Sequence, residues 1–428
     1  MENKQLPEGW EIKKLDELCE IYRGGSPRPI KDFLTNEPNG INWIKISDAS
    51  VSSKYIYETK EKIKQDGVKY SRLVNEGDFI LSNSMSFGRP YIMRTSGCIH
   101  DGWLVLKDKS GLFDQNYLYY FLGSNTTYQQ FDKLAAGSTV RNLNIDLVRS
   151  VKVLLPPLPE QKRIVAILDE AFEGIDRAIS NTEKNLSNAR EVFESYLNSI
   201  FSQKGEGWEE KKLREIGGKV FTGPFGSLLH KSDYVSNGIP IVNPANIEDE
   251  KIIPNFSKTV SPDTVKRLKS YVLTTNDVVV ARRGEIGRCA VVTEEQSGCL
   301  CGSGSFFIKP FENVNSVFLA HLLRSEVYRN QLERLSTGAT MQNLSNQSLS
   351  DLVIAMPSLD EQNQITNKID DLRNETQRLE NIYLQKIAAL NELKQSILQK
   401  AFTGELTVRL RSPTTADKGI TAMEETAA

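Results

Sequence analysis

The stretch ARRGEIGR places Arg282, Arg283 and Arg288 around two glycines, between two runs of apolar residues. A guanidinium is planar, always charged and presents paired N–H donors, so it suits O6 and N7 of guanine or the oxygens of a phosphate. In the first half of the chain the same frame reads NSMSFGR. Gly88 and Arg89 match Gly287 and Arg288, while Asn83, Ser84 and Ser86 stand in place of Arg282, Arg283 and Glu285. One frame with two different tips is what reading two different sequences requires, although solvated hairpin tips also look like this. Two further pairs share the ambiguity. GSTVRN and GATMQN oppose Arg141 to Gln342 behind Gly137 and Gly338, which equally suit plain tight turns. YRGGSPR offers Arg23, Ser26 and Arg28, and its counterpart FTGPFGS offers Thr222, Phe225 and Ser227, again among residues that build turns.

Groups for making and breaking bonds are harder to find. An adenine methyltransferase needs an Asn/Asp-Pro-Pro-aromatic site and a glycine loop for its cofactor, and NPAN at Asn243 lacks the second proline and the aromatic. No Gly-x-x-x-x-Gly-Lys-Ser/Thr loop is present, which argues against nucleotide hydrolysis by a P-loop. A metal-assisted nuclease needs clustered carboxylates and a lysine, but no Glu-x-Lys follows PDTVK at a useful distance. For zinc, Cys299-Leu-Cys301 is tighter than the usual Cys-x2-Cys knuckle, and only His100, His230 and His321 are available. Cys98 and Cys299 lie in apolar strand patterns and read as buried thiols, and His321 reads as packing. No cofactor or metal is therefore expected on this chain, and any chemistry would come from a partner.

Those loops need elements to carry them, and the elements are written twice. EGWEIKKLDEL at Glu8 returns as EGWEEKKLREI at Glu206. GDFILSNSMSFGRPYIM aligns without a gap on NDVVVARRGEIGRCAVV, and SGCIHDG answers SGCLCGS. AGSTVRNLNIDLVRSVKVLLPPLPEQ answers TGATMQNLSNQSLSDLVIAMPSLDEQ. A fixed internal period is the first thing to settle in a sequence, because it dictates the architecture. Each copy opens with a mixed globule, at 1–158 and 204–359, in which DFILS and RPYIM, like DVVVA and RCAVV, read as strands joined by a loop. A long helix follows, at 159–203 and 360–403, and a tail from 404 to 428.

In the second helix Ile365, Ile369, Leu372, Leu379, Tyr383, Leu390, Leu393 and Ile397 keep a 4-3-4-3 rhythm, broken at Thr376 and Lys386. That is a coiled-coil heptad. The first helix is noisier, with Ile164, Leu168, Ala171, Ile175, Ala178, Ala189, Val192 and Tyr196 in the same register. A helix this long with one apolar stripe needs a partner, and the other copy supplies one if the two pack antiparallel. The expected fold is α+β: two mixed domains separated by two long antiparallel helices, related by a pseudo-two-fold repeat.

Bulk properties agree with a soluble chain of several domains. Of 428 residues 39% are hydrophobic and 25% charged, and no window approaches a membrane span. The N-terminal MENKQLPEGWEIKKL lacks a signal-peptide core, and five scattered cysteines suit a reducing compartment, so a cytoplasmic location is expected. A net charge of −2 is unusual for a binder of nucleic acid. The helices and tail, however, hold 14 of the 53 basic and 19 of the 55 acidic residues, which leaves 39 against 36 on the globules. The acid is concentrated on the spacer.

The order of parts, LPPLPEQKRIVAILDE with its degenerate copy MPSLDEQNQITNK, and GW…KKL at both globule starts resemble the specificity subunit of type I restriction–modification systems. TGPFGSLLHKSDY followed by GIPIVNPANI and ARRGEIGRCAVV resembles a common target-recognition pattern of that family. The likeness runs from residue 8 to about 406. It implies two recognition domains that each read half of a bipartite site in double-stranded DNA, held apart by the helices. It implies two methyltransferase subunits docked on the helices and two restriction subunits in the full complex, with S-adenosylmethionine, ATP and Mg2+ on those partners. Candidates for the docking surface or helix seam are Glu160, Gln161, Ile164, Leu168 and Ile175, and Glu361, Gln362, Ile365, Ile369, Leu372, Leu390 and Leu393. The second phrase is less apolar than the first, which implies docking surfaces of unequal strength. The rival readings are a coiled-coil scaffold that binds no DNA and an enzyme with an unrecognised active site.

Overall fold

The computed structural model describes residues 6–49, 54–83, 88–135, 142–216, 219–336 and 343–408. They form two compact units, Met1–Thr182 with Gln385–Ala428, and Glu183–Leu384. Each unit contains one globule and a part of both long helices.

In the first unit Glu11–Lys14 pairs antiparallel with Lys152–Leu155. In the second unit Glu209–Lys212 pairs likewise with Val353–Met356. The repeated GW…KKL phrase is thus the strand that fastens the start of each globule to the strand leading into its helix. The predicted hairpins are present in matching register: Phe79 faces Ile92 between Phe79–Ser82 and Pro90–Met93, and Val278 faces Val291 between Val278–Ala281 and Cys289–Val291. The next strand, Trp103–Asp108 or Ser305–Ile308, joins each hairpin to Cys19–Arg23 or Val220–Thr222. The first strand of each hairpin is buried along its whole length, which is why Phe79 to Leu81 and Val278 to Ala281 are apolar without a break instead of alternating. A second sheet in each unit turns on a short parallel pair, Cys98–Ile99 beside Trp43–Ile44, and Leu300–Cys301 beside Ile241–Val242.

Cys98, Cys299 and Cys301 are buried free thiols, as are Cys19 and Cys289. Burial pushes the Cys19 thiol up to about 12, far from the reactive thiolate. His321 is fully buried on the helix Ser316–Arg324, and that burial pulls its imidazole down to about 2, so it stays neutral. Its Nε2 lies 3.3 Å from Asp370 of the second long helix. The matching residue in the first unit, Tyr120, donates its hydroxyl to Asp169 of the first long helix.

The long helices span Leu158–Gln203 and Leu359–Phe402, each with a proline just before or inside its first turn, where the missing N–H costs nothing. They run antiparallel. Lys394 Nζ lies 2.6 Å from Asp176 Oδ1 in the first unit, and Arg190 Nη2 lies 3.1 Å from Glu380 Oε2 in the second. Fourteen residues forward on one helix thus match fourteen backward on the other. Lys394 also covers the Phe172 ring at 5.0 Å, and Arg373 covers Phe193 at 5.2 Å. Phe172 and Arg373 occupy equivalent positions in the repeat, so cation and ring are exchanged between the two units.

Helix pairing and packing on the globules occur together. In the first unit Ile164, Val165, Leu168, Phe172 and Ile175 enter one core with Leu398, Ala401 and Phe402. In the second, Leu197 and Phe201 enter a core with Ile369, and Ile365 packs against it. Two seam assignments need correction: Leu393 is 48% exposed and Val192 is 58% exposed. The inward positions near the end of the second helix include 390, 394, 397, 398, 401 and 402, because that end lays a broad face on a globule rather than a narrow heptad seam on one helix. Leu372 and Leu390 are half-buried.

Gln161 and Gln362 also need correction, since neither is available to a partner: they are 0% and 2% exposed. Gln161 Oε1 accepts from Asp114 N at 2.8 Å, and its Nε2 donates to the carbonyls of Leu112 and Pro156. Gln362 Oε1 accepts from Asn315 N at 2.8 Å, and its Nε2 donates to the carbonyls of Asn313 and Pro357. Asp114 and Asn315 are the N-caps of the helices Gln115–Leu122 and Ser316–Arg324. The repeated glutamine is therefore a buried clamp that locks each long helix to a helix start in its own globule. Stranding a buried polar group costs about 1–3 kcal/mol. Gln362→Leu, which strands the Asn315 N–H and removes the donor to the Asn313 and Pro357 carbonyls, is expected to cost about 2–4 kcal/mol. Denaturant unfolding of the full chain checks this, and an unshifted midpoint contradicts the clamp.

Candidate nucleic-acid interface

The loop after Cys19–Arg23 is pressed onto the turn that carries Asp101. A Cβ on Gly24 would come within 2.1 Å of the His100 carbonyl oxygen, and one on Gly25 within 2.6 Å of the Tyr70 carbonyl oxygen. The second unit repeats this, since a Cβ on Gly223 would meet the Gly302 carbonyl oxygen at 1.9 Å. These glycines are required by close backbone approach.

In the first unit the approach gathers Arg23, Ser26 and Arg28 on Asp101. Ser26 Oγ donates to Asp101 Oδ1 at 2.9 Å, and Arg28 Nη2 donates to Oδ2 at 3.2 Å. Arg23 Nε and Asn83 Nδ2 both donate to the Asp101 carbonyl, at 3.2 and 2.8 Å. Burial works to raise the Asp101 carboxyl, but Ser26, His100 and Arg28 together hold it below the ordinary carboxylate range. Arg23 and Arg28 are exposed, whereas Asn83 is 2% exposed. Asn83 is thus a buttress beneath the loop rather than a contact residue. Arg89 is exposed and its guanidinium covers the Tyr91 ring at 5.3 Å.

In the second unit the equivalent of Asn83 is Arg282, set in the same backbone cradle. Arg282 N donates to the Gly304 carbonyl and its own carbonyl accepts from Leu344 N, as Asn83 does with Gly102 and Leu143. The Arg282 guanidinium lies 5.8 Å from the centres of both Phe225 and Phe306, within cation–π range. Its Nε is buried with no partner among the described residues, and burial, then Arg283, pulls its pKa below the usual value. Phe225 is 59% exposed, and Ser227 and Arg283 are exposed. Thr222 is occupied, its Oγ1 accepting from Asn346 Nδ2 at 3.0 Å. Arg288 departs from the expected cluster: its Nε and Nη2 donate to Glu285 and its Nη1 to the Ile247 carbonyl. Three residues after Glu285 in a tight loop, it closes the hairpin's base instead of extending from its tip. Ser84, Ser86, Arg141 and Gln342 lie outside the described residues.

Sequence reasoning missed Asp101 and a run of exposed cations over aromatic rings near it. Lys69 covers Tyr70 at 4.9 Å and Arg72 covers Tyr22 at 4.8 Å. The signal was present in KYSR at Lys69, a basic–aromatic alternation where a short 3-10 helix, Gln65–Tyr70, meets the strand Arg72–Val74.

The repeat, the fold and the paired loops agree with what the chain matches. A family model described as the type I restriction modification DNA specificity domain matches residues 7–186 and again residues 205–389. The chain belongs to that family. It is 23% identical over 428 residues to the type I restriction enzyme MjaVIII specificity subunit of Methanocaldococcus jannaschii, covering 96% of both chains. A structure reported for the assembly and conformational transition of a type I R-M system superposes with a TM-score of 0.75 at 20% identity, over 94% of this chain and all of the other. The HsdS subunit from Thermoanaerobacter tengcongensis superposes with a TM-score of 0.61 at 20% identity, over 95% of this chain and 99% of the other. These likenesses establish two mixed domains with paired long helices. Among the described residues no helix is long and apolar enough to cross a membrane.

Proposed function

We propose that this chain is the non-catalytic recognition subunit of a type I restriction–modification complex, each globule reading one half of a bipartite site in double-stranded DNA. The helix pair sets the gap between the half-sites and receives methyltransferase subunits, with restriction subunits completing the assembly. S-adenosylmethionine, ATP and Mg2+ belong to those partners in this reading. The observation that carries it is one backbone cradle used twice with unlike side chains, Asn83 over Asp101 in one unit and Arg282 beside Phe225 in the other. A scaffold without a ligand has no use for a repeated frame that carries unlike loops. Docking on the helices is supported by exposed apolar residues, Val192, Ile382 and Leu384 in the second unit and Leu393 in the first. The small positive excess on the globules leaves much of the phosphate grip to the methyltransferase subunits.

Changing Arg282 and Arg283 together to alanine tests the assignment. Methylome sequencing of a host that expresses the variant with its methyltransferase subunit should show altered bases in one half-site only. Each lost bidentate base contact is worth about 1–3 kcal/mol of discrimination. A motif altered in both halves, or in neither, counts against it.

A further inference from the structure

We propose that Arg28, braced by Asp101, reads a guanine in the half-site of the first domain, and that the Asp101 carboxylate takes the amino group of the cytosine paired with it. This rests on the DNA-reading function above and gives it one residue pair and one base pair.

Three features carry the inference. Arg28 is the outermost member of the cluster, its side chain 81% exposed against 46% for Asp101. It is nevertheless fixed, because Asp101 holds its Nη2 while Ser26 occupies the other carboxylate oxygen and Asn83 and Arg23 hold the Asp101 carbonyl. Among the described residues that single Nη2 contact leaves Nη1 and the second Nη2 hydrogen without a partner, and that edge of the fork spans O6 and N7 of guanine.

The carboxylate decides between base and phosphate. Beside a phosphate an aspartate repels the ligand and cancels the arginine's charge, so a residue meant for the backbone gains nothing from it. A base edge is neutral, and a G·C pair offers acceptors on guanine beside a donor, the cytosine N4 amino group, which matches an arginine next to a carboxylate. Lys69 and Arg72, stacked over Tyr70 and Tyr22 and with no carboxylate paired to either among the described residues, suit the backbone better. In the second unit Gly302, Phe225 and Ser227 occupy the places of Asp101, Ser26 and Arg28, so this device belongs to one half-site alone.

The test uses the full chain with its methyltransferase subunit and compares wild type, Arg28→Gln, Arg28→Lys, Asp101→Asn and Lys69→Gln. Methylome sequencing gives the motif base by base, and binding of a duplex bearing it gives the salt dependence. Arg28→Gln should relax one guanine position by about ten- to a hundredfold, with the other half-site intact. Asp101→Asn should relax the same base pair. Lys69→Gln should weaken all sequences alike and lower the salt slope by about one. Arg28→Lys keeps the charge but loses the fork, so it too should relax that position even if Arg28→Gln folds poorly. A uniform loss with Arg28→Gln or Arg28→Lys, an unchanged motif, or a first half-site without a G·C pair at the relaxed position overturns the assignment. A wild-type complex that methylates no motif overturns the recognition function itself, and this assignment with it.

Discussion

Phe402→Ala is expected to destabilise the first unit by about 3–5 kcal/mol, the usual cost of emptying a buried aromatic site. Phe402 is fully buried although it lies at the far end of the second helix. It meets Tyr117 and Phe121 edge to face at 5.4 and 5.5 Å, in the core that also holds Ile164 and Leu168. The first globule is therefore unfinished until the last turn of the second long helix has been added. Phe201→Ala is the matched change in the second unit, where Phe201 meets Phe318 at 5.5 Å. Hydrogen exchange should show the first change loosening Gln115–Leu122 and the second loosening Ser316–Arg324. A Phe402→Ala chain as stable as the parent, within about 0.5 kcal/mol as for a surface residue, would contradict closure of the core by this helix.

How far the sequence could be read depended on whether a residue's role is set by its own segment or by a distant one. The hairpins at Phe79–Ser82 and Val278–Ala281 were legible because uninterrupted apolar runs flanking a glycine loop determine them locally, and the gapless repeat confirmed their register. The long helices were legible from periodicity, but their inward face was not wholly so. A heptad counts Leu393 inward, whereas contact with a globule's core selects Lys394 and Leu398 instead. Gln161 and Gln362 stood out as a repeated phrase, yet their partners are the backbone N–H groups of Asp114 and Asn315, which no local pattern reveals. Asp101 was missed for a different reason. Its counterpart is Gly302 and its charge is wrong for DNA, so neither repetition nor electrostatics drew attention to it, and only its four donors do.

Inserting four helical residues after Asn185, and four more after Gln385 at the facing place on the other helix, is expected to lengthen the unread gap of the target while both half-sites keep their bases. Four residues add roughly 6 Å at 1.5 Å per residue, and DNA rises about 3.4 Å per base pair, so the preferred gap should grow by one or two pairs. The helices can accept the insertion at this place. Residues 183–185 on one helix and 384–386 on the other are exposed, so little packing is lost where the extra turn enters. Four residues also turn the helix by about 400°, some 40° beyond a full turn at 3.6 residues per turn, so the buried faces past the insertion return close to their original direction. The contacts of Arg28 and Arg282 lie within the globules and are untouched. Methylome sequencing of a host carrying the lengthened chain and its methyltransferase subunit should therefore show the parental half-sites with a longer gap, and near-complete loss of methylation at parental sites. An active complex that keeps the parental gap would mean that the helices do not set the distance, and the ruler role proposed for them would have to be abandoned.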